Sequence, residues 1–263
     1  MKEQNTVTRD HTAPTTILTG VSGDIGRAYL AAFVAAGRNV VATDVAAAAG
    51  PGRSAVDAAT TAGPGRAVFV EADVTSATDC ARVMDVAREE FGGAEALVNN
   101  AAIYHGLGPK RSMTELTTQD WDRVLNVNVV GTWQMMCAAE PLLRASGRGR
   151  MVNIASVVTR NGAIGFAHYV ASKAAVEGLT RSAAKEFGAG GITVNNVSPG
   201  LVDDSGSRAV NTEDYLQKVA AGRAIPRAME PDDLVSAVMW LTSPEAGFVT
   251  GQTVVVDGGG IFL

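Results

Sequence analysis

Seven short runs rich in β-branched residues recur along the chain, and a longer stretch of helical character separates each from the next. They are "TTILT" (15–19), "NVVAT" (39–43), "AVFVEA" (67–72), "ALVNN" (96–100), "RMVNIA" (150–155), "ITVNNV" (192–197) and "TVVVD" (253–257). Helical segments are expected near 25–36, 53–62, 76–91, 118–145, 168–188 and 231–242. Strands that read as near-continuous apolar runs lie in a sheet buried on both faces, and intervening helices force parallel crossovers. The 263 residues show no internal repeat and no break in composition. The expected fold is therefore α/β: a single doubly wound Rossmann-type domain, with a seven-stranded parallel sheet and helices on both faces. The domain is placed at 15–263, behind a loosely held polar tail at 1–14.

Charge and cysteine usage narrow the partners. A formal charge of −5 argues against a nucleic-acid or anionic-membrane surface. No apolar run reaches the roughly 18 residues a membrane helix needs. Cys80 and Cys137 are far apart, with no CxxC spacing, and are expected to be buried reduced thiols of a cytoplasmic protein. His11, His105 and His168 are too scattered to build a metal site, so no metal is expected.

The first strand runs directly into "TGVSGDIG" and then into a helix. Glycine there permits a tight turn and lets backbone approach a ligand without a Cβ in the way. The helix that follows offers unpaired N–H groups and a positive dipole end, which suit a pyrophosphate. Gly20, Ser22, Gly23, Ile25 and Gly26 are the expected cradle. Asp24, an acid among them, is expected to point outward as a first-turn helix residue. The second strand ends in Asp44, 24 residues past Gly20, where a carboxylate can accept from ribose hydroxyls and repel an extra phosphate. That pattern makes NAD the expected cofactor.

Further along, Tyr169 and Lys173 stand four apart in a helical stretch, hence on one face. A phenol titrates near pH 10, and a neighbouring ammonium is expected to lower that value toward general-base duty. Ser156, thirteen residues earlier, closes the strand "RMVNIA", where its hydroxyl could hold a substrate oxygen.

With these residues in place the chain resembles the short-chain dehydrogenase/reductase family from about Thr16 to Gly259. "TGVSGDIG" is similar to that family's TGxxxGxG loop, "ADV" (Asp73, Val74) to its adenine contact, and "NNAA" with Asn100 to its NNAG motif. Asn128 in "NVNVVG" and Ser156, Tyr169 and Lys173 match its catalytic set; "SPG" (Pro199, Gly200) and "VTGQTVVVDGG" match its late motifs. The resemblance implies hydride transfer between a nicotinamide dinucleotide and a secondary alcohol or ketone. Tyr169 would exchange the proton, Ser156 would orient the reacting oxygen, and Lys173 would lower the phenol and hold the nicotinamide ribose. Asn128 would hold a water of a proton relay; read alone, it is a buried helix amide satisfied by a backbone carbonyl. A homotetramer is also implied, and the apolar residues Trp121, Val129, Val130, Trp133, Met135 and Met136 of segment 118–145 give it a motive.

Three positions depart from the family pattern. Asp24 replaces a glycine, Ala102 replaces the glycine of NNAG, and Asp204 stands where a threonine usually meets the cofactor. Asp204 is expected on a substrate lid near 201–225, pointing outward, with Ser205 or the Val202 backbone meeting the nicotinamide amide. Tyr104, His105, Val157, Val158 and Asn161 are the other candidates for the substrate pocket; His168 is expected to face elsewhere. The expected function is an NAD-linked alcohol dehydrogenase. An NADPH-linked 3-oxoacyl-type ketoreductase and a non-catalytic dinucleotide-binding sensor are the alternatives.

Overall fold

The computed structural model describes residues 13–262, so the expected tail lies outside the described residues except for its last two. The strands are β1 (Thr15–Thr19), β2 (Asn39–Asp44), β3 (Ala67–Glu71), β4 (Ala96–Asn99), β5 (Arg150–Ile154), β6 (Thr193–Pro199) and β7 (Thr253–Val256). They form one sheet in the order β3-β2-β1-β4-β5-β6-β7, every pairing parallel.

Successive side chains of a strand point to opposite faces, and the core divides accordingly. Leu18, Val40, Val98 and Val152 face one layer, which packs on Tyr29, Leu30 and Phe33 of α1 (Asp24–Ala35), Val56 of α2 (Ala49–Ala62) and a late helix described below. Their neighbours Ile17, Val41, Leu97 and Met151 face the other, against α3 (Ala77–Phe91). The expected helix 118–145 is instead α4 (Thr118–Leu125), a π-helical turn over Asn126–Gly131, and α5 (Thr132–Ala145). Helical spacing in the sequence does not reveal that widened turn. Met135 and Met136 of α5 lie in the core, leaving Val130 and Trp133 as the exposed large apolar residues of this stretch. Cys80 is buried as expected, but Cys137 is exposed, because the α5 face opposite Met136 looks outward.

A short α6 (Val158–Asn161) follows β5 and leads to α7 (Ala167–Phe187). After β6 come two further short helices, α8 (Ser205–Val210) and α9 (Glu213–Ala221), and then α10 (Val235–Leu241), whose Val238 and Leu241 complete the first core layer. None of the described helices is long and apolar enough to cross a membrane. The sheet order reverses between β1 and β4, and in open α/β sheets ligands settle beyond the strand ends at such a point.

Candidate active site

A cavity of about 1510 Å³ opens beyond the C-terminal strand ends. Its first wall is the loop after β1. Gly20 has φ +71°, and a Cβ there would stand 2.7 Å from the Ala101 Cα; a Cβ on Gly26 would stand 2.1 Å from the Gly20 carbonyl oxygen. Both glycines are therefore required by close backbone approach. The loop is fastened to the segment after β4, since Asn100 Nδ2 donates to the Gly20 carbonyl at 2.9 Å. The Thr19 hydroxyl accepts from the Asn100 and Ala101 amides at 3.0 Å each. Ala102, the departure from NNAG, is accommodated on the cavity wall.

Asp44 lines the same cavity. Its carboxylate accepts the Ser22 amide and the Val45 amide, both at 2.9 Å, which leaves acceptor capacity on both oxygens. Ser22 donates its hydroxyl to the Ala48 carbonyl at 2.8 Å. Asp73 and Val74 line the wall beyond β3, with Asp73 accepting the Thr75 amide and hydroxyl at 2.8 Å each.

Asp24 turns away from the loop's amides toward another part of the chain. It pairs with Arg27 at 2.7 Å and accepts the Ser205 amide at 2.8 Å. The Ser205 contacts, with the nearby guanidinium, hold its carboxyl down to about 2. Asp204 caps α8, accepting the Ser207 amide at 2.7 Å. Both acids line the cavity, where the sequence reading expected them to point outward, and each is engaged in a bond that builds the segment after β6. Val202 is buried and paired with Met229, and it lines the cavity together with Pro199 and Gly200.

Ser156, Tyr169 and Lys173 meet on the opposite wall. Lys173 Nζ donates to the Ile154 carbonyl at 2.7 Å and lies 5.7 Å from the Tyr169 ring centre. Burial brings the ammonium down to about 8. The expectation that Lys173 depresses the phenol does not hold for this state of the protein. Enclosure drives the Tyr169 phenol above its ordinary value, with Tyr104 and Asp204 adding to the rise and a hydrogen bond with Ser156 opposing it. With the Lys173 ammonium engaged by the Ile154 carbonyl, burial of the phenol sets the direction.

Asn128, in the π-helical turn, is 1% exposed. Its Oδ1 accepts the Ile103 amide at 2.7 Å, and its Nδ2 donates to the Ser172 hydroxyl at 3.0 Å. The amide thereby ties the loop after β4 to the residue preceding Lys173. Of the substrate-pocket candidates, Tyr104, Val157, Val158 and Asn161 line the cavity. The Tyr104 ring sits 5.2 Å from that of Tyr169. His168 packs on Trp121 at 6.2 Å and takes no part in the wall. Asn211 and Tyr215 of the expected lid segment 201–225 also line it, and sequence reasoning missed Lys110 and Phe166. Those two sit in loops, which no periodicity places. Among the described residues, no group of acids, histidines and cysteines could hold a metal ion.

A family model described as "Enoyl-(Acyl carrier protein) reductase" matches residues 20–260. The chain is 36% identical over 243 residues to a 3-alpha-(or 20-beta)-hydroxysteroid dehydrogenase of Mycobacterium tuberculosis (strain CDC 1551 / Oshkosh), covering 92% of this chain and 87% of that protein. It belongs to the short-chain dehydrogenase/reductase family. It is also 33% identical over 249 residues to a 3-oxoacyl-[acyl-carrier-protein] reductase of Synechocystis, covering 94% and 97% of the two chains. A solved short-chain dehydrogenase/reductase from Brucella melitensis, titled glucose/ribitol dehydrogenase, superposes with a TM-score of 0.84 at 31% identity, covering 95% of this chain and 97% of that one. The chain is thus an oxidoreductase of this family, built on its Rossmann-type fold.

Proposed function

We propose that this member of the short-chain dehydrogenase/reductase family is an NAD-linked dehydrogenase of secondary alcohols, working equally as a ketone reductase. The observation that carries the reading is the convergence of Ser156, Tyr169 and Lys173 on one cavity whose other wall holds the Asp44 carboxylate. The residues present fit a dinucleotide. Gly20 and Gly26 let the loop after β1 fold tightly against Ala101 and itself, and the start of α1 then offers its unpaired amides to a pyrophosphate. Asp44 would accept the adenosine ribose hydroxyls, Asp73 and Val74 would flank the adenine, and Asn100, Pro199, Gly200 and Val202 would border the nicotinamide half.

When bound, the dinucleotide supplies the hydride acceptor or donor. The chain's own residues handle the oxygen. Tyr169 passes its phenolic proton to a ketone oxygen, or takes the proton of an alcohol. Ser156 donates a hydrogen bond that fixes that oxygen, and Lys173 keeps a cation beside the phenol. Asn128 would support a water-linked proton path by holding the Ile103 loop and Ser172 in place.

A panel of secondary alcohols with NAD, followed by absorbance of the reduced cofactor, tests the reading. Bound NAD with no turnover of any alcohol or ketone would point instead to a redox sensor. A preference for NADP would point to a 3-oxoacyl-type ketoreductase, the activity named for the Synechocystis relative. We also propose a homotetramer in the cytoplasm, supported by the exposed Val130 and Trp133 (37% and 49%) on the 118–145 segment. Light scattering that finds a 27.1 kDa particle at micromolar concentration would overturn the assembly.

A further inference from the structure

The charged side chains on the cavity wall are nearly all committed. Arg27 is paired with Asp24, Lys173 with the Ile154 carbonyl, and Asp204 with the start of α8. Lys110 differs. Like Lys173 it is in no described ion pair and its Nζ donates to a neutral acceptor, Asn211 Oδ1, at 2.9 Å, but unlike Lys173 it is exposed. The ammonium also lies 4.4 Å from the Tyr215 ring centre and 5.7 Å from that of Phe166. Two aromatic faces and an amide thus hold an exposed cation at the cavity mouth, where two of its three donors remain available.

At the other end, Lys173 is buried and donates to the Ile154 carbonyl, and the Asp204 carboxylate lines the wall, so a carboxylate beside the reacting carbon finds no exposed cation there. Between the two ends the wall is apolar, with Val158, Ala163, Ile164 and Val219. The ring contacts show the span. Lys110 stands on Phe166, Phe166 lies 6.3 Å from Tyr104, and Tyr104 lies 5.2 Å from Tyr169. Asn211, which Lys110 bonds, also donates to the Tyr104 hydroxyl at 3.4 Å, so the ammonium is joined to the Tyr169 end of the wall through Tyr104 and not by direct contact, and a carboxylate held there sits away from the reacting carbon.

Resting on the oxidoreductase reading above, we propose that the substrate is a ketone or secondary alcohol bearing a carboxylate several carbons from the reacting carbon, and that Lys110 is the residue that binds that carboxylate. A charge-assisted hydrogen bond at a partly exposed site favours such a ligand by about tenfold.

Two isomeric keto acids separate the two ends. 7-Oxooctanoate carries its carboxylate far from the carbonyl, 2-oxooctanoate next to it, and methyl 7-oxooctanoate has no charge. Titration calorimetry on the protein saturated with NAD, which cannot reduce a ketone, should find 7-oxooctanoate bound about tenfold more tightly than the other two. Lys110→Met should erase the difference and Lys110→Arg should keep most of it, while added salt should weaken the remote acid alone. Equal or weaker binding of 7-oxooctanoate, no measurable binding of it, or a preference that survives Lys110→Met would overturn the proposal. Turnover is read separately. If 2-octanone and all three probes are left unreduced while NADH is bound, the dehydrogenase reading fails, and the binding ratio still reports on Lys110.

Discussion

The cavity wall formed by the sheet and the wall formed by the segments 103–112 and 201–221 are held by different forces. Behind the first, a buried chain of side-chain hydrogen bonds crosses four elements. Asn99 donates to Asn153 at 2.8 Å, Asn153 to Thr180 of α7 at 2.8 Å, and Thr180 to Asn196 of β6 at 2.7 Å. Satisfied amides in a low-dielectric interior admit one arrangement, since breaking any member leaves a polar group buried and unpaired. This is the frame on which Ser156, Tyr169 and Lys173 are set. The second wall is fastened at the surface. Arg208 pairs with Asp203 at 2.6 Å and Glu213 at 3.1 Å, and Arg111 pairs with Asp120 at 2.7 Å. Exposed pairs of this kind are screened by water and hold a segment only weakly. On the proposed function, the reacting groups sit on the wall braced from within, and the lid residues on the wall braced at the surface.

The largest effect should therefore come from the sheet wall. Tyr169→Phe removes one hydroxyl and should cut kcat by about 10²–10⁴-fold, the usual range for lost acid–base catalysis. NADH affinity, followed by cofactor fluorescence, should stay nearly unchanged. Turnover retained in this variant would mean that another group moves the proton, and the contrast between the walls would lose its basis.

Cofactor choice should be the next largest. A fixed carboxylate facing a 2′-phosphate is repelled by a few kcal/mol at intermediate dielectric, so kcat/KM should favour NAD over NADP by tens- to hundreds-fold. Asp44→Asn keeps an acceptor and removes the charge, and should narrow that ratio. Equal values in the wild type would remove Asp44 from the assignment.

The two walls also differ in how far they could be read from the sequence. Continuous burial along β1, β2, β4 and β5, with successive residues facing opposite layers, writes both core layers into the strand runs, and the loop glycines follow from backbone contact. Tyr169 and Lys173 are fixed by helical spacing. Lys110, Asn211 and Tyr215 are brought together by tertiary packing of a loop on α8 and α9, helices too short to leave a periodic signature. The widening at Asn126–Gly131 was equally hidden, because "NVNVVG" is compatible with an ordinary helix. The phenol's environment could not be read either: a Tyr–Lys spacing reports proximity, whereas enclosure, which dominates here, depends on Tyr104 and the lid.

A third experiment tests how tightly the sheet wall encloses Lys173. Its folded value of about 8 lies below the ordinary 10.5, so between these values the unfolded chain binds more protons than the folded one. Stability contributed by this site is therefore lowest below pH 8 and rises as pH climbs toward 10. Relative to Lys173→Met, which does not titrate, the wild type should gain about 2 kcal/mol in urea unfolding between pH 7 and 10. Above pH 10 the raised phenol of Tyr169 acts in the opposite sense, so the comparison ends there. A flat difference would show that water reaches the ammonium.

The smallest effects should come from the two acids that depart from the family pattern, because both serve the wall braced at the surface. Asp24 is partly exposed and spends its charge on Arg27 and Ser205, not on the amides of its own loop. Asp204 spends its charge on the first turn of α8. Restoring the family residues, Asp24→Gly and Asp204→Thr, should each change the Kd for NAD by less than about threefold, under 1 kcal/mol. Threonine can also cap a helix, so Asp204→Thr should leave α8 intact, whereas Asp24→Gly cuts the bond between the cofactor loop and the lid. The two substitutions should then part in kinetics: Asp24→Gly should speed NAD release with little change in Kd, as a loosened lid opens and closes more often, and Asp204→Thr should not. Stopped-flow fluorescence of NADH release measures this. A tenfold gain in NAD affinity from Asp204→Thr would show that the acid opposes the cofactor directly, and would place Asp204 with the sheet wall.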